Sequence, residues 1–105
     1  ALIEREKAEL GGAQLLSQAR EAFVTANYTT AVALIDSIRN AFPLAFNARE
    51  EGILLKDSVL LEQAREELRN AKDIAGDSID MEELHMKVTF YERKLLHDLD
   101  QKQTH

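Results

Sequence analysis

Glu82 and His85 stand three positions apart, the spacing that puts a carboxylate and an imidazole on one face of a helix. Di-iron bundles use two such Glu-x-x-His pairs together with further glutamates on facing helices. Neither of the other histidines, His97 and His105, follows a glutamate at that distance. A single pair falls short of a coordination sphere, so the expectation is a solvated helix face and no metal site. Nucleophilic catalysis needs a Ser or Thr beside a base that a third group orients. Ser17, Ser37, Ser58 and Ser78 have no histidine near them in sequence, and no strand-to-helix elbow exposes one. Glu50-Glu51 and Glu66-Glu67 are adjacent pairs, and adjacent helical residues point apart, which excludes a paired-carboxylate site. Gly11-Gly12 lacks the residues that make a phosphate loop. No catalytic, cofactor-binding or metal-ligating residue is assigned, and the chain is read as a non-enzyme without cofactor.

With the chemistry thin, the elements carry the information. The 105 residues suffice for a single domain, and 45% hydrophobic content suffices for a core. There are four glycines and one proline, Pro43, in a chain dominated by Ala, Leu, Glu, Lys, Arg and Gln. These are strong helix formers, so the expected class is all-α. The net charge is −6 and lysines and arginines do not cluster, which disfavours nucleic acid and anionic membrane. The absence of cysteine excludes disulfides, thiolate metal sites and thiol nucleophiles. No apolar run approaches the ~20 residues of a membrane span, so no direct membrane insertion by this segment is expected. Ala1-Leu2-Ile3-Glu4-Arg5-Glu6-Lys7 is not a signal peptide. A start on Ala rather than Met fits a processed form from which an upstream targeting segment has been removed.

Four helical stretches follow from the spacing of apolar residues. The first covers about 13–26, with Leu15-Leu16, Ala19, Ala22-Phe23 and Ala26 at helical spacing. Gly11-Gly12 is expected to separate it from a charged lead-in, since each glycine costs about 1 kcal/mol inside a helix. The second opens after Asn27-Tyr28, with Asn27 suited to a left-handed or capping conformation. Its stripe is Ala31, Leu34-Ile35, Ile38 and Phe42, and Pro43 ends it. The third is long, from Ala45 or Asn47 to about Ala75, with Asn47 and Glu50 as a capping box at one candidate start. Within it, Leu54, Asp57, Leu61, Ala64, Leu68, Ala71 and Ala75 alternate by three and four, the pattern of a helical seam. The 53–61 section is apolar nearly all round and is expected to be buried on all sides. Asp57 is the polar exception and is expected at a solvated edge of the seam, because an unpaired buried charge is costly; the alternative is a break in the seam that faces Leu99 and reaches Lys102.

Gly76-Asp77-Ser78 should stop the third helix and turn the chain. Asp80 as N-cap, Glu83 three residues on, and an Ile79–Leu84 staple start the fourth. Its seam is Met81, Leu84, Val88, Tyr91, Leu95 and either Asp98 or Leu99. A reversal at Asp77-Ser78 pairs Ala75 with Met81, Leu68 with Val88, Ala64 with Tyr91 and Leu61 with Leu95, all apolar. It also sets Glu62 opposite Arg93 at the surface. The expectation is an antiparallel, coiled-coil-like hairpin crossing at about 20°. Phe42, Phe46, Phe90 and Tyr91 are read as core aromatics rather than a ligand box.

Leu15, Ala19, Asn27, Tyr28, Ala31, Ile38 and Pro43 together resemble one tetratricopeptide (TPR) unit. The match covers about 30 residues. Ala26 stands where that pattern usually has glycine, and Gln18 where it usually has leucine. A second unit does not follow, because Val59-Leu60-Leu61 continues the helix where the next turn is due. The resemblance implies an all-α fold in which a TPR-like hairpin stacks on the longer antiparallel hairpin. The domain is then one helical body: lead-in 1–12, TPR-like hairpin 13–43, long hairpin 44–100 and tail 101–105. Tyr28-Thr29-Thr30-Ala31-Val32-Ala33-Leu34-Ile35-Asp36-Ser37-Ile38 and Leu55-Lys56-Asp57-Ser58 are also similar to segments of uncharacterised envelope lipoproteins of Bacteroidota. That resemblance implies export, with periplasm or cell envelope as the location; the alternative is cytoplasmic.

The functional expectation is a protein–protein interaction or scaffolding module, with exposed apolar residues Val24, Phe90 and Leu96 as candidate partner contacts. A homo-oligomer, possible as a homodimer through the 54–75 seam, is the alternative. Asp36-Ser37-Ile38, Asp57-Ser58-Val59 and Asp77-Ser78-Ile79 resemble an O-glycosylation acceptor pattern of exported proteins, and Asn27-Tyr28-Thr29 matches the N-glycosylation triplet. Only Ser78, in the expected turn, is placed for modification.

Overall fold

The structure, a computed structural model, describes residues 2–74 and 81–104. Among them are four α-helices and no strand: α1 Leu2–Val24, α2 Tyr28–Ala41, α3 Phe46–Ile74 and α4 Met81–Thr104. The protein is all-α. The expected reversal at Gly76-Asp77-Ser78, the Asp80 cap with its Ile79 staple, the Ala75 pairing and the Ser78 acceptor lie outside the described residues. Two compact units divide the chain, Ala1–Val59 and Leu60–His105, and the boundary falls inside the continuous helix α3.

In the first unit, α1 runs unbroken through Gly11-Gly12, where the sequence led us to expect a separation. Its buried positions Ala8, Gly12, Leu16 and Ala19 form one stripe at spacings of four and three. Residues of the expected lead-in are thus part of the packed helix, with Ala8 in a cluster with Leu16, Ile38, Ala45 and Ala48. The glycines pack rather than punctuate. A Cβ on Gly12 would stand 2.8 Å from the methyl groups of both Ala45 and Ala48, and one on Gly11 would overlap the Phe42 ring. Gly52 plays the same part in α3, where an added Cβ would lie 3.2 Å from Ile35 Cγ2. Close backbone approach offsets the helix-propensity cost of each glycine. A second cluster joins Ala19, Ala31, Ile35 and Val59, flanked by Phe23, Tyr28, Val32 and Leu55.

The helix ends show how the turns are made. Asn27 Nα–H donates to Ala22 O at 2.8 Å and Ala26 Nα–H donates to Phe23 O at 3.0 Å, the bond pair of a Schellman cap. The left-handed residue is Ala26, at φ 61°, whereas Asn27 sits at φ −94° and makes no side-chain cap bond. The left-handed conformation thus falls to Ala26, while Asn27 stands at the N-cap position of α2, where its carbonyl accepts from Ala31 N–H at 3.0 Å. α2 ends at Phe42, whose φ of −132° is non-helical, as suits a residue before proline. At the start of α3, Asn47 does not cap. The Glu9 carboxylate of α1 instead accepts from the backbone N–H groups of Asn47, at 3.0 Å, and Ala48, at 3.2 Å. A carboxylate there satisfies two otherwise unbonded donors and complements the helix dipole.

The expected seam of α3 is its buried stripe: Asp57, Leu61, Ala64 and Ala71 are buried and Leu54 and Leu68 half-buried. Two readings of α3 are corrected. Asp57 is only 1% exposed, not a solvated edge, because its phase on the helix sets it in line with Leu54 and Leu61. Ile53 is 52% exposed, so the 53–61 section is not buried all round.

In the second unit, Met81, Leu84, Val88, Tyr91, Leu95 and Asp98 of α4 are half-buried at the predicted spacing, while Leu99 is exposed. Asp98, not Leu99, continues that stripe. Glu62, expected opposite Arg93, pairs along its own helix with Arg69 at 3.3 Å and Arg65 at 3.6 Å. Ion pairs also join α3 to α4: Glu67 with Lys87 at 3.0 Å, and Arg65 with Glu92 at 4.0 Å.

Candidate functional site

Two surfaces gather exposed side chains of mixed chemistry, one in each unit. In the first unit, Ile35, Asp36, Arg39 and Asn40 of α2 face Arg49, Ile53 and Lys56 of α3 across a groove of about 340 Å³. Lys56 pairs with Asp36 at 2.8 Å, and Arg49 donates to Pro43 O at 2.8 Å. Arg39 and Asn40 line its rim beside the half-exposed Ile53. The groove is basic in a chain of net charge −6. Sequence reading missed it because it assigned Ile53 to the core. The signal that could have found it was Arg39, Arg49 and Lys56 flanking one side of the α2 and α3 stripes.

In the second unit the exposed surface belongs to α4. Its half-buried stripe leaves the opposite side of the helix to Glu82, Met86, Phe90, Arg93 and His97, which line an open groove. Phe90 stacks edge-on against the half-buried Tyr91, with centroids 5.2 Å apart. Glu82 and His85 both lie on this face and are solvated. Among the described residues no group of three or more His, Asp or Glu side chains is placed to hold a metal ion.

The three candidate contact residues are all exposed: Val24 85%, Phe90 59% and Leu96 66%. They fall in different units. Val24 ends α1 in the first unit, Phe90 belongs to the open groove of α4, and Leu96 lies beside that groove on the same helix. Of the four aromatics expected in the core, Phe42 and Tyr91 are half-buried and Phe46 and Phe90 are exposed. Phe46 instead lies under the Arg5 guanidinium, 5.2 Å from the ring centroid, with Arg49 at 6.0 Å. A ring at the first helical position can meet cations from α1 and α3 at little desolvation cost.

Among the described residues no helix is long and apolar enough to cross a membrane. No family model matches the chain, and neither does any curated protein or solved structure.

Proposed function

We propose that this chain is a non-enzymatic interaction or scaffolding module, built from a TPR-like hairpin over 13–43 and a longer antiparallel hairpin formed by α3 and α4. The observation that carries the reading is the pair of open, chemically mixed faces, a basic groove on α2 and α3 and a Met–Phe stripe on α4. Small-molecule and catalytic sites draw on enclosed pockets with converging polar groups, whereas shallow faces with solvent-exposed aromatics suit protein partners. The two interhelical ion pairs support the antiparallel register. Stepping back along α3 from Glu67 to Arg65 moves the partner forward along α4 from Lys87 to Glu92.

The hairpin is tested by crosslinking. The natural chain has no cysteine, so Ala64→Cys combined with Tyr91→Cys introduces one defined pair. Rapid intramolecular disulfide formation at low protein concentration is expected; crosslinks only between chains would overturn the hairpin. The function is tested by co-purification from the native source with wild type and with Val24→Glu, Phe90→Glu and Leu96→Glu. Loss of the same protein with at least one variant, with helix content unchanged, is expected. Retention by all three would overturn these contacts.

The similarity of Tyr28-to-Ile38 and Leu55-to-Ser58 segments to Bacteroidota envelope lipoproteins supports a cell-envelope location. Sequencing upstream of Ala1 tests it, with a hydrophobic stretch, a small-residue box and a cysteine as the expected result.

A further inference from the structure

The groove between α2 and α3 carries fixed charge of one prevailing sign around an aliphatic floor. Arg39, Arg49 and Lys56 line it with one carboxylate, Asp36, and no histidine, so its positive excess persists across neutral pH. Asp36 offsets Lys56 at 2.8 Å. The two guanidinium groups keep their charge available. Arg49 donates to Pro43 O at 2.8 Å, and a neutral carbonyl orients the group without cancelling its charge. Arg39, in the last turn of α2, is exposed and enters no ion pair among the described residues.

The placement of these groups follows from the register of the two helices. Asp36 meets Lys56 and Pro43 meets Arg49, an antiparallel run that sets Arg39 level with Ile53. Arg49 and Lys56 stand seven residues apart on α3, about 10 Å along the helix axis. Ile53 lies between them, 52% exposed, above the buried Ile35. The groove thus has a cation at each end, a third on the opposite wall and apolar surface in the middle.

We infer, on the reading of the chain as an interaction module, that this groove binds an acidic peptide segment of a partner protein, with two carboxylates flanking an aliphatic side chain. Charge complementarity selects that occupant. Guanidinium groups bind carboxylates through paired N–H donors, and the aliphatic side chain covers Ile53. An extended chain carries every second side chain on one face and rises about 3.3 Å per residue. A Glu-x-Leu-x-Glu segment therefore presents all three groups together, its carboxylates within reach of the long Arg49 and Lys56 side chains. A nucleic-acid backbone calls for a longer track of cations than these three. The peptide's carboxylate competes with Asp36 for Lys56, so Asp36 weakens binding.

Nuclear magnetic resonance titration of the full chain with acetyl-Gly-Glu-Ala-Leu-Ala-Glu-Gly-amide, up to about 1 mM in about 50 mM salt, tests the inference. The expected result is saturable shifts of backbone amides in 36–40 and 49–56. Replacing both peptide glutamates with glutamine should weaken binding by about fivefold or more, and so should Arg39→Glu with circular dichroism unchanged. Asp36→Asn should tighten binding by about twofold. Absence of shifts at the highest concentration would overturn the inference, as would equal affinity for the glutamine peptide or binding that Arg39→Glu leaves unchanged. Inorganic phosphate that displaces the peptide at equal concentration would overturn it in favour of a small anion. Self-association of the chain that Arg39→Glu abolishes would overturn it in favour of a second copy. Val24, Phe90 and Leu96 lie outside this groove, so their co-purification test decides the broader interaction reading separately.

Discussion

Between 2 and 59, helices meet through small residues: Gly12 against Ala45 and Ala48, Gly52 against Ile35, with Ala19 and Ala31 fully buried. Between 60 and 104 the only buried hydrophobic residues described are Leu61, Ala64 and Ala71, and every seam position of α4 is half-buried. The first unit combines α1, α2 and the start of α3; the second combines the rest of α3 with α4. A pair of helices covers only one stripe on each partner, so most of its side chains remain at the surface. The contrast teaches where burial is concentrated. The tightly apposed part should be the more sensitive to substitution, and the thin part leaves most of its side chains exposed.

The largest expected effect distinguishes the two cores directly. Leu16 is 2% exposed, so Leu16→Ala should cost about 3 kcal/mol in chemical denaturation, from lost burial plus a residual cavity. Leu84 is half-buried, and Leu84→Ala should cost about 1 kcal/mol. Equal losses would remove the distinction. Next, Gly12→Ala adds a methyl where two others already stand at 2.8 Å. Overpacking of about 1–3 kcal/mol works against a helix-propensity gain of about 1 kcal/mol, so a lower melting temperature is expected. A higher one would mean that α1 and α3 separate easily and that glycine is not needed for their approach.

Smaller effects probe the ends. Glu9→Gln should lower stability by about 1 kcal/mol, because a neutral amide offers weaker acceptance to the Asn47 and Ala48 donors. An unchanged denaturation midpoint would show that α3 starts without help from α1. Ala26→Gly should raise stability by about 0.5–1 kcal/mol, relieving the Cβ strain of a left-handed residue at φ 61°. This is the one substitution here expected to strengthen the first unit, and a loss of stability would place the strain elsewhere.

Much of this architecture was legible without coordinates. The α2 stripe Ala31, Ile35, Ile38 and the α3 seam through Leu61, Ala64 and Ala71 follow from spacing alone, because a helix fixes which residues share a face. The candidate faces were less legible. Val24, Phe90 and Leu96 were picked as apolar residues off the seams, and all are exposed, but the groove formed by Arg39, Arg49, Ile53 and Lys56 draws on two helices at once. No periodicity within either helix specifies which cations will meet across it. Met86 and His97 are illegible for a different reason: helical spacing identifies the stripe that packs and leaves its opposite side unspecified.

Helix-forming composition, the position of Pro43 and the three-and-four repeats determined four helices, their buried stripes and an all-α class, because those properties are local and act within a few residues of chain. Tertiary structure decided what Gly11-Gly12 are for, since a missing side chain reads as a break until a neighbouring helix occupies the space. It decided that Glu9, far away in sequence, would serve the start of α3 in place of Asn47. It also decided that Asp57 would be buried and Ile53 exposed. Each of those outcomes depends on which backbone lies nearby, and proximity is settled by packing of whole helices rather than by the preferences of any single residue.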